Sequence, residues 1–413
     1  MLIDLNMYFI LSEKIKQIKS NYLSIYQYVA CFCLFIFIFN KVFAFTHIEI
    51  NILRHLAKNL CYLLAIANII IFIKEKNYLV VILSLLFIVV GVLNKKYTQQ
   101  SDVLLYSILV LSFSKLNFRA ALQVFIFTVG ILLISIMLFS LLDLSDDEFF
   151  GLRNGKLRYA FAFRDSNFLG GMIFFFSMTL WVSIKDKLIN NILFIMLFVM
   201  EYLFIDYYVD SRTAQVMSII VSLVIVIYGI FTVFSIKINN LFLIKCIKFF
   251  AVYYILVIAA IHIFIVYLYL PNNELFVALD KLFSTRISLQ NNALQNFSLS
   301  LFGDISYSTL SDEDPFYIGS ISARSYNLLD SFYLYVLYRW GLFSLIIFLI
   351  STIIVSWQAL KQRQFKIIIA LFCFSIYAIN ENYYFMICYN IFIYLCFSNI
   401  SLGDKKLCQK SQC

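Results

Sequence analysis

Arg158, Arg164, Arg212, Arg286 and Arg324 all stand at the edges of long apolar runs or in the polar stretches between them. A guanidinium stays charged at any physiological pH and presents a fork of donors that matches two phosphate oxygens at once. Arginines so placed suit a phosphate-bearing substrate. The densest group is Arg153, Lys156, Arg158 and Arg164, packed into one short polar stretch. One Arg near a span end is often a headgroup anchor, but four cations together are harder to explain that way. Carboxylates accompany the arginines. Asp165 precedes Ser166-Asn167, Asp210 precedes Ser211-Arg212-Thr213-Ala214, and Asp330 precedes Ser331-Phe332-Tyr333-Leu334. Asp210 or Ser211, and Asp330, can cap a helix N-terminus, while a carboxylate such as Asp330 or Asp165 could instead take a proton from an attacking hydroxyl. Asp206 lies one turn before Asp210 and would pair with Arg212 or line a polar cavity. Glu201 lies deeper in the same apolar run, where an ionisable residue marks a functional site by default. No Cys/His group has metal-ligand spacing and there is no glycine-rich phosphate loop. No cofactor or metal is expected, although Asp312, Glu313 and Asp314 leave a metal open.

The elements that must position these groups follow from composition. Of 413 residues, 63% are hydrophobic and 13% charged, and the mean hydropathy is +0.90. Soluble domains are near half apolar and about a quarter charged, so this is an all-α, polytopic integral membrane protein forming a single membrane domain over residues 1–413. Runs of roughly 20 apolar residues count as spans, with fewer allowed where flanking residues snorkel. They fall at approximately 22–45, 60–73, 78–93, 103–113, 120–142, 168–184, 188–209, 213–234, 249–270, 328–357, 367–379 and 383–399, about 12 transmembrane helices. The first reads as a signal anchor, with no cleavage site. The nine cysteines lie in or beside spans or in the C-terminal tail, so disulfides are not expected.

Lys and Arg favour cytoplasmic loops. With both termini cytoplasmic, groups such as Lys14, Lys16 and Lys19, Lys185 and Lys187, and Lys361, Arg363 and Lys366 all fall inside. Eighteen of the 32 Lys and Arg then sit in inner segments against five acids, leaving the inner face at about +13 and the rest at about −4. Topology thus accounts for the net charge of +9, and no nucleic-acid partner is needed. Two long loops, 143–167 and 271–328, fall outside and hold most of the candidate chemistry. The second keeps apolar residues such as Leu282 and Phe302, which predicts short helices near the membrane surface.

The stretch Phe161-Ala162-Phe163-Arg164-Asp165-Ser166-Asn167-Phe168-Leu169-Gly170 resembles the Phe-Gly-Phe-x-His-Pro-Asn-x-Leu-Gly frame of O-antigen and capsular polysaccharide polymerases, relatives of the O-antigen ligases. Ala162, Asp165 and Ser166 depart from it, while Asn167, Leu169 and Gly170 keep it. Ser211-Arg212-Thr213 resembles a second feature of that family. Thr285-Arg286 followed by Leu301-Phe302-Gly303-Asp304 resembles its Arg then Phe-Gly arrangement, with Thr285 in place of Gly. Asp330-Ser331-Phe332-Tyr333, with Gly341 beyond, resembles its return into the membrane, where polymerases often carry Asp and ligases His.

The resemblance implies a glycosyltransferase of the bacterial inner membrane, in which a growing glycan leaves undecaprenyl pyrophosphate and joins an incoming lipid-linked repeat. It implies Arg158, Arg212 and Arg286 as holders of pyrophosphate, with Arg164 and Arg324 in reserve and Asn167, Asp210 and Tyr333 beside the substrate. Asp330 is then the first choice of base and Asp165 the second. Partners would be the undecaprenyl-pyrophosphate-linked oligosaccharide and membrane lipid, with a chain-length regulator and a flippase nearby. The alternatives are a lipid-linked oligosaccharide flippase or other transporter, and an O-antigen ligase of the same fold. Transporters concentrate polar groups at mid-membrane and often repeat their halves, unlike this chain.

Overall fold

The computed structural model describes residues 24–46, 52–142, 149–153, 156–233, 241–283, 285–296, 298–303 and 329–400. Arg324, Asp312, Glu313 and Asp314 therefore lie outside the described residues, as do parts of both long loops.

Uninterrupted apolar runs become helices because only a helix satisfies every backbone donor and acceptor within its own segment in lipid. Among the described residues nine helices are long and apolar enough to cross a membrane. They are α1 (Ser24–Phe43), α2 (Ile52–Lys74), α3 (Tyr78–Thr98), α5 (Phe118–Leu141), α6 (Ser166–Ser183), α7 (Leu188–Phe204), α8 (Arg212–Val233), α9 (Leu241–Tyr267) and α13 (Leu342–Lys361). Two shorter apolar helices join the bundle, α4 (Asp102–Ser112) and α14 (Phe365–Tyr377). The outward faces are apolar. Ile82, Leu203, Ile227 and Phe264 are each more than half exposed, a surface that suits lipid rather than water. Inside, hydroxyls such as Ser107, Ser112, Thr128 and Thr179 donate to the carbonyl one turn back, which hides their polarity within the helix.

The polar stretches hold structure of their own at one end of the bundle. In the first, β1 (Phe149–Arg153) and β2 (Lys156–Tyr159) form an antiparallel hairpin pairing Arg153 with Lys156. In the second, α10 (Glu274–Leu282) and α11 (Arg286–Asn296) are the short helices expected there. Asn273 caps α10 by accepting from the amides of Leu275 and Phe276.

Two of the expected spans are overturned. The run 328–357 is two helices, α12 (Phe332–Arg339) and α13, turning back at Trp340-Gly341. The rings of Phe332 and Phe348 lie 5.7 Å apart, which a continuous helix of that length would not allow. The turn needs glycine: Gly341 has φ +86, and a Cβ there would meet the Gly303 amide nitrogen at 2.3 Å. Asn94 Nδ2 donates to the carbonyls of Phe302 and Trp340, and Gln100 Oε1 accepts from Arg339 Nε and Trp340 Nε1, clamping the turn to the end of α3.

The run 383–399 holds no span-length helix, only 3-10 turns at Asn382–Phe385 and Phe392–Leu395. It is apolar enough for a span, yet its carbonyls are held by neighbours: Ile393 O accepts from Tyr106 Oη and Cys396 O from Gln358 Nε2. Tyr384 Oη bonds Thr352 Oγ1 at 2.7 Å and Gln362 Nε2 donates to Asn399 Oδ1, so the segment runs along the second half of α13. Irregular backbone at membrane depth is stable only when so enclosed by protein.

A stability prediction follows for the turn. Gly341→Ala should destabilise the protein by more than about 1 kcal/mol, because it adds a Cβ at positive φ against backbone atoms that cannot yield. Gly229→Ala, with nothing within 4 Å of its Cβ, should be neutral or slightly stabilising. Thermal aggregation of the two variants in detergent checks both, and equal behaviour would contradict this account of the turn.

Candidate active site at the start of four helices

The site is recessed because α14 is short. Lys366 anchors its first turn, donating to Ile184 O at 3.2 Å and pairing with Asp186 at 3.7 Å. Thirteen residues then rise about 20 Å, less than the roughly 30 Å of a hydrocarbon core, so α14 ends within the membrane thickness. Its terminal Ala378 carbonyl accepts from the Phe332 amide at the start of α12. From there α12 climbs about 12 Å to Arg339 and the clamped turn.

Four helices begin around that recess: α6 at Ser166, α8 at Arg212, α11 at Arg286 and α12 at Phe332. Side chains tie them together. Arg158, from β2, donates to Ser166 Oγ and lies 3.9 Å from Asp210 Oδ2, linking α6 to the segment before α8. Glu381 Oε1 accepts from Thr213 Oγ1 at 3.3 Å and from Arg286 Nη1 at 3.0 Å, linking α8 to α11. Arg286 Nε lies 3.3 Å from Asp330 Oδ2, linking α11 to α12. Arg286 also donates to the Asn380 carbonyl. Gly170 brings α6 against α8, since a Cβ there would meet Ser211 Cβ at 2.6 Å.

Local backbone features aim these groups. Beyond Phe204 α7 continues as a π-helix over Ile205–Val209, and Asp210 follows with φ +50, its carboxylate 3.9 Å from Arg158. Such π-turns recur at functional sites. Phe161 and Ala162 have positive φ and fold the chain from the hairpin into α6. Thr285, at φ +63, sets Arg286 at the first position of α11. A cation at a helix N-terminus opposes the helix dipole by a few tenths to about 1 kcal/mol. Arg212 and Arg286 both occupy such positions, so neither stabilises its own helix through its charge.

Three carboxylates share this space. Burial pushes the Glu381 carboxyl up to about 7, against the pull of Arg286 and helped by Asp330 and Asp165. For Asp330 the enclosing protein also raises the pKa, with Arg286 opposing and Asp165 assisting, although one side of its carboxylate stays open. Asp330 is the more open of the two acids on Arg286, its side chain 38% exposed against 5% for Glu381, so Asp330 is the one a substrate can reach. Three hydroxyls in the wall, Ser211 Oγ, Ser331 Oγ and Tyr377 Oη, are buried and have no hydrogen-bond partner among the described residues. Buried donors of that kind are costly unless something polar approaches them.

No family model, curated protein or solved structure matches this chain.

Of the residues picked out from sequence, Arg158, Asp165, Asp210, Arg286 and Asp330 come together here, and Arg212 stands exposed on the first turn of α8 beside Thr213. Asp165 is a helix cap: its carboxylate accepts from the Asn167 amide at 2.8 Å, so Asn167 enters through its backbone. Others lie apart. Arg164 Nε donates to Thr46 O and its amide to Phe45 O, stapling the turn to the end of α1. The Tyr333 ring is fully buried and its hydroxyl donates to Ser375 O, so it braces α12 against α14. Leu301-Phe302-Gly303 serves the α12–α13 turn instead of Arg286. Glu201 is buried between helices, accepting from Ser218 Oγ at 2.8 Å, and Asp206 accepts from Gln215 Nε2. The described residues contain no group of three or more His, Cys, Asp or Glu that could hold a metal ion.

Glu381 was missed. Its signal was present as Asn380-Glu381-Asn382, a polar break between two apolar runs. It lies in a short loop, outside the two long loops that hold most of the other candidates.

Proposed function

We propose that this protein is a polysaccharide polymerase of the O-antigen or capsule type, transferring a glycan from undecaprenyl pyrophosphate to an incoming lipid-linked repeat in the bacterial inner membrane. The observation that carries the reading is convergence. The family-like frames around residues 158–170, 210–213, 285–286 and 330–333 are far apart in sequence, yet Arg158, Asp210, Arg286 and Asp330 meet at one recess. On this reading Arg286, Arg158 and Arg212 hold the pyrophosphate, and the surrounding helix N-termini add to the positive field. As the glycosidic bond to the pyrophosphate breaks, charge grows on the departing oxygen, where preorganised guanidinium donors stabilise it. Asp330 accepts the proton of the attacking sugar hydroxyl.

The test is direct. Purified protein in proteoliposomes, given lipid-linked repeats alone, should yield a ladder of longer glycans on lipid and free undecaprenyl pyrophosphate. Repeats that cross the bilayer without being joined would instead mark a flippase.

The orientation that goes with this reading places the recess on the outer face, as the Lys and Arg bias predicts. In a cysteine-free background, Tyr207→Cys, 76% exposed beside the recess, should react with an impermeant maleimide in intact spheroplasts. Lys187→Cys, at the other end of α7, should react only after lysis. The reverse pattern would overturn the orientation.

A further inference from the structure

An apolar trough leads away from the recess down the lipid-facing side of the bundle. Helices α8 and α9 each pack on α14, whose Ile369, Phe372 and Ile376 stay partly exposed on one face, followed past its end by Ile379 and Asn380. Asn380 carries the carbonyl that Arg286 grips, so this column ends at the charged site. Lower down it deepens into a groove of about 410 Å³ between Ile247, Phe250, Ala251 and Tyr254 of α9 and Ile369 and Phe372 of α14. From Ile369 to the end of α14 is about 12 Å. The groove is floored by ring faces. Phe372 lies 6.2 Å from Phe250 and 5.5 Å from Tyr254, whose hydroxyl is turned inward to Ser356 Oγ.

A ligand that fills both parts has an anionic head and a long apolar tail that descends along one helix face. We infer that this trough seats the isoprenoid tail of the polyprenyl diphosphate whose head the recess holds, an inference that rests on the function proposed above. The occupant is the substrate's own tail rather than an annular phospholipid, because the partly exposed apolar residues Ile369, Phe372, Ile376 and Ile379 lead along α14 from the groove toward Asn380, whose carbonyl holds Arg286. Methyl branches of a prenyl chain pack into the steps between Phe250, Ala251 and Phe372. Bilayer and groove are equally apolar, so the gain comes from packing alone and is modest. Its consequence is alignment: the tail fixes the direction from which the diphosphate meets Arg286.

The experiment compares undecaprenyl diphosphate with geranyl diphosphate, binding to the full chain in nanodiscs of zwitterionic lipid. The wild type should hold the long-chain compound about tenfold more tightly, a difference of about 1.4 kcal/mol. Ala251→Trp and Ile369→Trp, which fill the groove from its lipid side, should erase that preference while leaving geranyl diphosphate binding unchanged. Independently of any variant, a polyprenyl diphosphate with a photoreactive group along its tail should cross-link to peptides containing residues 247–254 and 368–372. If the filled variants keep the full chain-length preference and cross-links fall elsewhere, the trough is not the tail's seat, and the reading of the recess stands. If neither diphosphate binds and Arg286→Ala changes nothing, the head reading is wrong and the tail seat falls with it. Cross-linking that excess phosphatidylglycerol abolishes would assign the groove to an ordinary phospholipid and overturn the proposal.

Discussion

Arg286→Ala should lower glycan transfer by roughly two to three powers of ten, the usual cost of removing a preorganised donor to a developing anion. Arg286 is held by side chains from two other segments, Glu381 at 3.0 Å and Asp330 at 3.3 Å, so its direction is fixed before substrate arrives. Removing it leaves three carboxylates facing each other without their central cation. The buried Glu381, already up at about 7, then rises further and stays protonated at neutral pH, which relieves the repulsion and lets the chain remain folded. Arg286→Lys keeps the charge but not the fork, since one ammonium cannot serve Nε and Nη1 positions together. It should retain partial activity. Rates measured on purified lipid-linked substrate, with protein amounts matched by size-exclusion chromatography, decide the matter. An alanine variant within threefold of the wild type would remove Arg286 from the chemistry.

Asp330→Asn should cost two to four powers of ten in rate, the range for loss of a general base, and Asp165→Asn should not. Asp165 accepts the Asn167 amide as the cap of α6, and asparagine caps nearly as well. What Asp165 does to Asp330 is electrostatic: its charge helps to raise the Asp330 pKa. A base works only when deprotonated, so activity rises with pH through the Asp330 pKa and is lost below it. Removing the Asp165 charge lowers that pKa, and the acid limb of the rate profile should move to lower pH. If Asp165→Asn is the inactive variant and Asp330→Asn keeps its activity, the two roles are exchanged.

Much of the scaffold was legible in the sequence because lipid leaves a chain few options. Long apolar runs such as 120–142 and 188–209 return as α5 and α7. The failures share a cause. Hydropathy reports that a segment is buried but not how its backbone is satisfied. Residues 328–357 are largely apolar between Asp330 and Trp357, and the hairpin shows only in the positive φ of Gly341. Residues 383–399 are apolar too, but Tyr106 and Gln358 from other helices replace the intrahelical partners. For the site, residue type and position near a span end were enough to pick Arg158, Arg286 and Asp330. They could not separate a substrate-facing Arg from Arg164, whose partner is a backbone carbonyl more than a hundred residues away. Glu381 escaped because its importance comes from Arg286 and Thr213, neighbours that only the folded chain supplies.

The irregular segment from Ala378 onward also bears on how the protein is made. A stretch without helical hydrogen bonds cannot leave the translocation channel for lipid by itself, since each bare peptide group would cost several kcal/mol there. It must wait for α4 and α13 to form the slot whose side chains accept it. The Asn380 carbonyl and the Glu381 carboxylate that orient Arg286 travel with it. Arg286 therefore lacks its Asn380 and Glu381 partners while the nine spans of the described residues insert, and the cluster around it is completed only when this late piece docks.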